Sequence, residues 1–221
     1  MAQLCARLFV VLLLISSSIG MQAVVHKVAA NGELATALDK ASEGDIILVK
    51  GGTTYKVTSK ENGFSVPAGV RLYGGFTEAQ LNEATDDLTD EALAKLLAAR
   101  PTGGEPWKLA QPTVLSGDIQ GDDAIAAPVD LLSGSTRSDN AFHVLTVTGG
   151  SEAQPTVIDG FTISGGYAAK GAGSHKGGGI YATKGSLTVS NCFLYNNSAY
   201  EAGGAIYTEE GAHATLYNLL V

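Results

Sequence analysis

A parallel β-helix is the fold class this 221-residue sequence predicts, and three observations predict it. First, 28 glycines, concentrated after position 149, punctuate short runs of Val, Ile and Leu. Without a G-x-y period this is not collagen, and the apolar runs between the glycines exclude a disordered linker. Short strands with tight turns remain. Second, "GGGIY" at 177–181 returns as "GGAIY" at 203–207, so that Ile180 and Ile206 stand 26 residues apart. Third, three late segments align without gaps: Val157-Ile-Asp-Gly-Phe161, Val189-Ser-Asn-Cys-Phe193 and Leu216-Tyr-Asn-Leu-Leu220. Asn191 and Asn218 are 27 apart, and Asp159 and Asn191 are 32 apart, the excess falling in the glycine-rich 165–179. Self-similarity at 20–50 residues marks a solenoid. With only β-type segments in each unit, each turn of the chain stacks its strands on those of the next.

The elements follow in chain order. Residues 8–15, LFVVLLLI, form a run of eight apolar residues with Arg7 before it and SSSIG after it. That three-part pattern predicts a secretory signal peptide over 1–23, cut after Gly20 or Ala23. A spanning helix needs roughly 20 apolar residues, so the run is too short to anchor the chain. The alternative is a buried N-terminal strand or helix. Cys5 leaves with the leader, and Cys192 is then the lone cysteine. No intramolecular disulfide is possible, so the core of the remaining domain, 24–221, must hold it together.

Asn31 followed by GELATALDKA predicts a capped amphipathic helix at the N-terminal end. "GDIILVKGGTTYKV" at 44–57 opens on a strand buried on its core side, and 66–73 gives another, closed by Gly74 and Gly75. About 77–100 the pattern turns helical. Thr77 and Gln80 fit a capping box, and Thr89 caps a second helix carrying Leu93, Leu96 and Leu97 on one face. Pro101 stops it. This reads as a helical insertion on the side of the main body. Strand patterns resume at 112–119, 142–148, 155–164, 186–195 and 214–221, and no helical pattern follows position 101.

A coil that turns a corner leaves backbone polar groups there, and Asn or Asp side chains can satisfy them from one coil to the next. Asp159, Asn191 and Asn218 are expected to form such a ladder. Gly177, Gly178 and Gly179 before Ile180, and Gly203, Gly204 and Ala205 before Ile206, are expected to supply the backbone freedom of the repeated corner. Residues 214–221 match the first part of a coil, which predicts a chain continuing beyond 221 and an apparently truncated C-terminus.

The motif Gly203-Gly204-Ala205-Ile206, with Phe193-Leu194-Tyr195-Asn196, resembles the repeats of chlamydial polymorphic outer-membrane proteins. Gly177 to Ile180 is a one-residue variant, and Phe161-Thr-Ile-Ser164 departs at its last position. The order "PTVLSGDI…NAFHVLTVTG…PTVIDGFTISGG…GGGIY" is also similar to β-helix surface proteins of other bacteria. The resemblance covers about 44–76 and 112–221, with the repeats at 155–221. It implies a right-handed β-helix, secreted or displayed at the cell surface as an adhesin-like passenger that binds host or matrix glycans or proteins. The family's C-terminal translocating barrel does not appear in this sequence, which leaves the anchor open.

Loss of Arg7 with the leader takes the formal charge from −8 to −9. Nucleic acid and anionic lipid both require a basic patch, so neither is expected as a partner, and this segment is not expected to insert in a membrane. Many parallel β-helices cleave acidic polysaccharides, an analogy at the level of fold alone. Asp118, Asp122 and Asp123 in "SGDIQGDD" are the best carboxylate cluster for a cation, though a polar turn is the favoured reading. His26, His143, His175 and His213 show no metal-ligand spacing. The loop 165–179 lacks the Gly-Lys-Ser/Thr element of a phosphate loop and reads as a solvated connection. No catalytic residue, metal or cofactor is expected. Tyr73, Tyr181 and Tyr207 are either an exposed row that stacks sugars or core and turn residues.

Overall fold

The computed structural model describes residues 23–105, 108–123, 135–171 and 175–221. Of the expected leader, all but Ala23 lies outside them. The chain is mostly β, and the ladders between its strands are all parallel.

The strands fall into stacks. One runs β1 (Val25–Val28), β2 (Ile46–Lys50), β5 (Arg71–Phe76), β8 (Thr156–Asp159), the first half of β12 (Gly185–Tyr195) and β15 (Ala212–Leu220). A second runs β3 (Thr53–Lys56), β6 (Thr113–Ser116), β9 (Phe161–Ser164) and the second half of β12. Because β12 belongs to both, the two stacks make one curled nine-stranded sheet. A separate four-stranded sheet orders β4 (Phe64–Val66), β7 (Leu145–Val147), β11 (Ile180–Ala182) and β14 (Ile206–Thr208), and β10 (Tyr167–Ala168) pairs with β13 (Ser198–Ala199).

Parallel register places like on like. Tyr55, Leu115, Ile163 and Leu194 stand in one column, and Ile47, Leu72, Ile158 and Val189 in another. Phe64, Leu145, Ile180 and Ile206 form the third. The columns share one apolar core, buried except at its Ile206 end, and burial of such side chains is worth about 1.5–3 kcal/mol each. Helix α1 (Glu33–Lys40) adds Leu34, Ala37 and Leu38 to that core.

Helices α2 (Glu78–Glu83) and α3 (Asp90–Ala98) lie between β5 and β6. Thr77 and Gln80 form the capping box, and Thr89 accepts from the Ala92 amide. Leu81, Leu93, Leu96 and Leu97 cover Ile46, Leu48, Tyr73, Phe76 and Val157 on the outer side of the first stack. The "DIILV" run is therefore buried on both sides of its strand, where the sequence pointed to one. Tyr73 belongs to this covered side, and burial pushes its phenol up to about 12.

Three further expectations are corrected. Residues 66–73 are two strands, parted at 67–70, where Gly69 takes a φ of 70°. Asn31 does not cap α1, whose N-cap is Gly32 without a side-chain bond. Its amide oxygen accepts instead from the Lys56 amide, and Glu33 reaches back to the Ala29 and Ala30 amides. A short 3-10 turn, Ser135–Asp139, follows position 101.

Register also explains the repeated glycines. Gly177 and Gly203 take φ of 70° and 64°, left-handed values at equivalent places. Gly178 serves a different need. A Cβ there would overlap the Ser198 carbonyl oxygen and lie 2.8 Å from that of Gly204. At the equivalent Gly204 the nearest atom would be 3.1 Å away. Gly178→Ala is expected to cost about 1–3 kcal/mol by overpacking, and Gly204→Ala less than about 1. Urea unfolding of the two variants checks the difference.

Candidate functional site

The corner between the two halves of the curled sheet carries the polar ladder. Asn191 and Asn218 both take φ of 52° and so bend β12 and β15. Asn218 Nδ2 donates to Asn191 Oδ1 at 3.2 Å, and Asn191 Nδ2 donates to Asp159 Oδ2 at 2.6 Å. Ser190 Oγ donates to the same carboxylate oxygen. The ladder is offset from the alignment of the sequence repeats. Ser190 pairs with Asp159 and Phe193 with Thr162, so Asn191 stands level with Gly160. Gly160, with φ of 80°, makes the bend, and Asp159 supplies the acceptor from one place earlier. Arg100, at the end of the helical insertion, closes the ladder. Its Nη2 lies 2.5 Å from Asp159 Oδ1 and its Nη1 donates to the Gly74 carbonyl. Both charged side chains are buried. Nothing in the sequence around Arg100 announces this role; a lone arginine before Pro101 reads as a helix end.

The second corner holds another buried arginine. Arg137 donates to the Asn196 and Gly166 carbonyls at 2.8 and 3.1 Å and lies 3.5 Å from Asp123. Asn140 Nδ2 bridges Asp123 and the Gly165 carbonyl. Burial lowers the Arg137 pKa, and Asp123 opposes that shift. Asn196 turns the chain here at φ 55°, while the Asn197 side chain bonds the Gly166 amide and the Ile163 carbonyl. Asn197 is thus a corner asparagine that the sequence repeat did not single out. The segment 165–179 is correspondingly less solvated than expected: Gly166 and Ala168 are buried, and β10 lies within it.

The acidic turn divides. Asp118 and Asp122 approach each other and Asp139, within 4.8 Å, while Asp123 turns inward to Arg137 and Asn140. The Asp118 carboxylate accepts from the Gly121, Asp122 and Asp123 amides, and Asp139 accepts from Gln120. These bonds build a turn. Cys192 is buried in the core, and burial pushes its thiol up to about 12, far from a thiolate at neutral pH.

The outer side of the four-stranded sheet differs from the covered side. Its outward positions are in register: Ser65, Thr146, Tyr181 and Tyr207. The Tyr181 and Tyr207 rings are 9° from parallel at 6.1 Å. His143, just before β7, stacks on Tyr181 at 4.7 Å and 15°. Lys176 Nζ sits over the Tyr207 ring and donates to its hydroxyl at 3.1 Å. Tyr181 hydroxyl bonds Glu209. Two of the three tyrosines singled out in the sequence thus share a row, Tyr73 does not, and His143 joins it. Beyond His143 lies a cleft of about 350 Å³ lined by Glu61, Asn62, Ser65, His143, Thr146 and Tyr181. Phe193 stacks on Tyr195 on the outer side of the second stack, level with Thr162.

No family model, curated protein or solved structure matches the chain. Among the described residues no helix is long and apolar enough to cross a membrane.

Two outcomes follow from the buried groups. Asp159→Ala leaves Arg100 buried and unpaired and is expected to cost about 3–5 kcal/mol. In denaturant melts, the Arg100→Met/Asp159→Ala double variant should lose less than the two single losses added together. His143 is buried with Nδ1 2.8 Å from the Gly177 carbonyl, and its pKa is lowered chiefly by burial. The unfolded chain binds a proton below about pH 6.5 that the folded chain refuses until lower pH. Stability from this group is therefore full above about pH 6.5 and is lost as pH falls towards the depressed folded value. Urea midpoints measured from pH 7.5 to 5 should fall more steeply for the native chain than for His143→Gln.

Proposed function

We propose that the chain is a secreted or surface-displayed right-handed parallel β-helix, an adhesin-like passenger that binds host or matrix material along one flank without catalysis. Parallel stacks supplied by successive turns of the chain support the solenoid reading, as does the 26-residue step between Ile180 and Ile206, which pair directly. The handedness, the surface location and the kinship with chlamydial polymorphic outer-membrane proteins rest on the sequence motifs.

The observation that carries the binding reading is the row of His143, Tyr181 and Tyr207 on the outer side of the four-stranded sheet. Tyr181 and Tyr207 belong neither to the core nor to the cluster under the helical insertion, and His143 is held beside Tyr181 by its bond to the Gly177 carbonyl. Aromatic side chains presented on a rigid scaffold give contact area at low entropic cost. The enzyme reading, a polysaccharide lyase or a fragment of one, would draw on Asp118, Asp122 and Asp139. The Asp118 carboxylate accepts from three amides of its own turn and Asp139 accepts from the Gln120 amide, which favours the binding reading.

The test is attachment of the purified full chain to immobilised extracellular matrix, measured with a polygalacturonate cleavage assay in calcium. Saturable attachment is expected, without unsaturated product. The Tyr181→Ala/Tyr207→Ala double variant should lose at least about tenfold in affinity, or 1.4 kcal/mol, while its melting temperature holds. Cleavage abolished by Asp118→Asn would replace the proposal with the enzyme reading.

A further inference from the structure

The row of rings stops short of the end of its sheet. In the outward register the sequence is Ser65, Thr146, Tyr181, Tyr207, with small hydroxyls on β4 and β7 and rings on β11 and β14. Neighbouring strands lie about 4.8 Å apart, the spacing at which rings can stack from strand to strand. Where Ser65 and Thr146 stand, the row leaves the open cleft, which His143, Tyr181, Glu61 and Asn62 also line. At about 350 Å³ it lies at the lower end of small-molecule sites, about 300–1,000 Å³.

Building on the binding reading above, we infer that this cleft is a subsite for one neutral or amino-sugar unit of a glycan. The polar groups facing it favour ligands rich in donors. Glu61 brings a carboxylate, which only accepts when ionised. His143 spends its Nδ1 proton on the Gly177 carbonyl, so in the neutral ring Nε2 is left as an acceptor. Ser65 adds a hydroxyl and Asn62 a side-chain amide, while the Thr146 hydroxyl lies 3.5 Å from the Asn62 carbonyl. A pyranose offers hydroxyl donors around its rim and a C–H face for the rings, and an amino sugar adds a cation for Glu61. An acidic sugar would meet Glu61 and the −8 charge of the chain. Lys60 offers it no relief, since its ammonium is bound to the Ser138 carbonyl and lies over Phe142.

The full chain would be titrated with cellohexaose, chitosan hexamer and hexagalacturonate, followed by calorimetry and by the ring resonances of His143. The neutral and amino hexamers should bind and shift those resonances, and hexagalacturonate should bind at least about tenfold more weakly. Ser65→Phe extends the row into the cleft from an exposed position; it should abolish oligosaccharide binding with the melting temperature unchanged. Equal affinity for hexagalacturonate would overturn the inference, as would silence of His143 with all three hexamers, or binding that survives Ser65→Phe. Matrix attachment separates the two readings. If the native chain attaches and Ser65→Phe attaches equally well, the sugar subsite fails and the adhesin reading stands. If the native chain does not attach, the adhesin reading fails with it.

Discussion

Asp159 places a buried carboxylate where the curled sheet bends. A charge in that position is costly unless it is paired and hydrogen-bonded, and here it is both. Arg100 neutralises it from one side, and Ser190 and Asn191 donate from the other. The consequences run in both directions along the chain. The helical insertion is fixed to the body through Arg100, and its leucines can seal the outer side of β2, β5 and β8. Asn191, held by the same carboxylate, bends β12 at the place where one strand must serve two stacks.

The second corner repeats the logic with different parts. Arg137 gathers the carbonyls of Gly166 and Asn196 beside Asp123, and Asn197 ties two levels of the structure together. With both corners pinned, β8 and β9 keep their register on β12 and on β5 and β6, while β2 and β5 carry an irregularity between Leu48 and Lys50. Register is what lines up Tyr181 with Tyr207 and leaves Ser65 and Thr146 beside them. The outer row is therefore a product of the inner packing, although the Tyr181 and Tyr207 rings are not part of the core.

Legibility in the sequence followed the repeat. Ile180 and Ile206, or Asn191 and Asn218, declare themselves because the same surroundings recur on each level. Thr77 and Thr89 were legible because a cap needs only its near neighbours. What escaped was contact without periodicity. Arg100 meets Asp159 across 59 residues, and no local pattern encodes that meeting. The offset of Asp159 against Asn191 escaped because Gly160 and Asn191 are interchangeable at a left-handed bend, which lets an ungapped alignment slide by one. Tyr73 and Tyr181 look alike in sequence, each within a short apolar run. They part only because the helical insertion covers one side of the body and leaves the other open.

That asymmetry separates two kinds of inheritance in one molecule. Beneath α2 and α3, Ile46, Leu48 and Tyr73 are buried among the leucines of the insertion, so a change there must be answered by a neighbour. Across the body, positions 65, 146, 181 and 207 point away from the columns that hold the strands together. Substitutions among them would alter what the surface recognises while leaving folding nearly untouched. A lineage under pressure to change its ligand could do so at a few such positions, keeping its architecture constant while its specificity drifts.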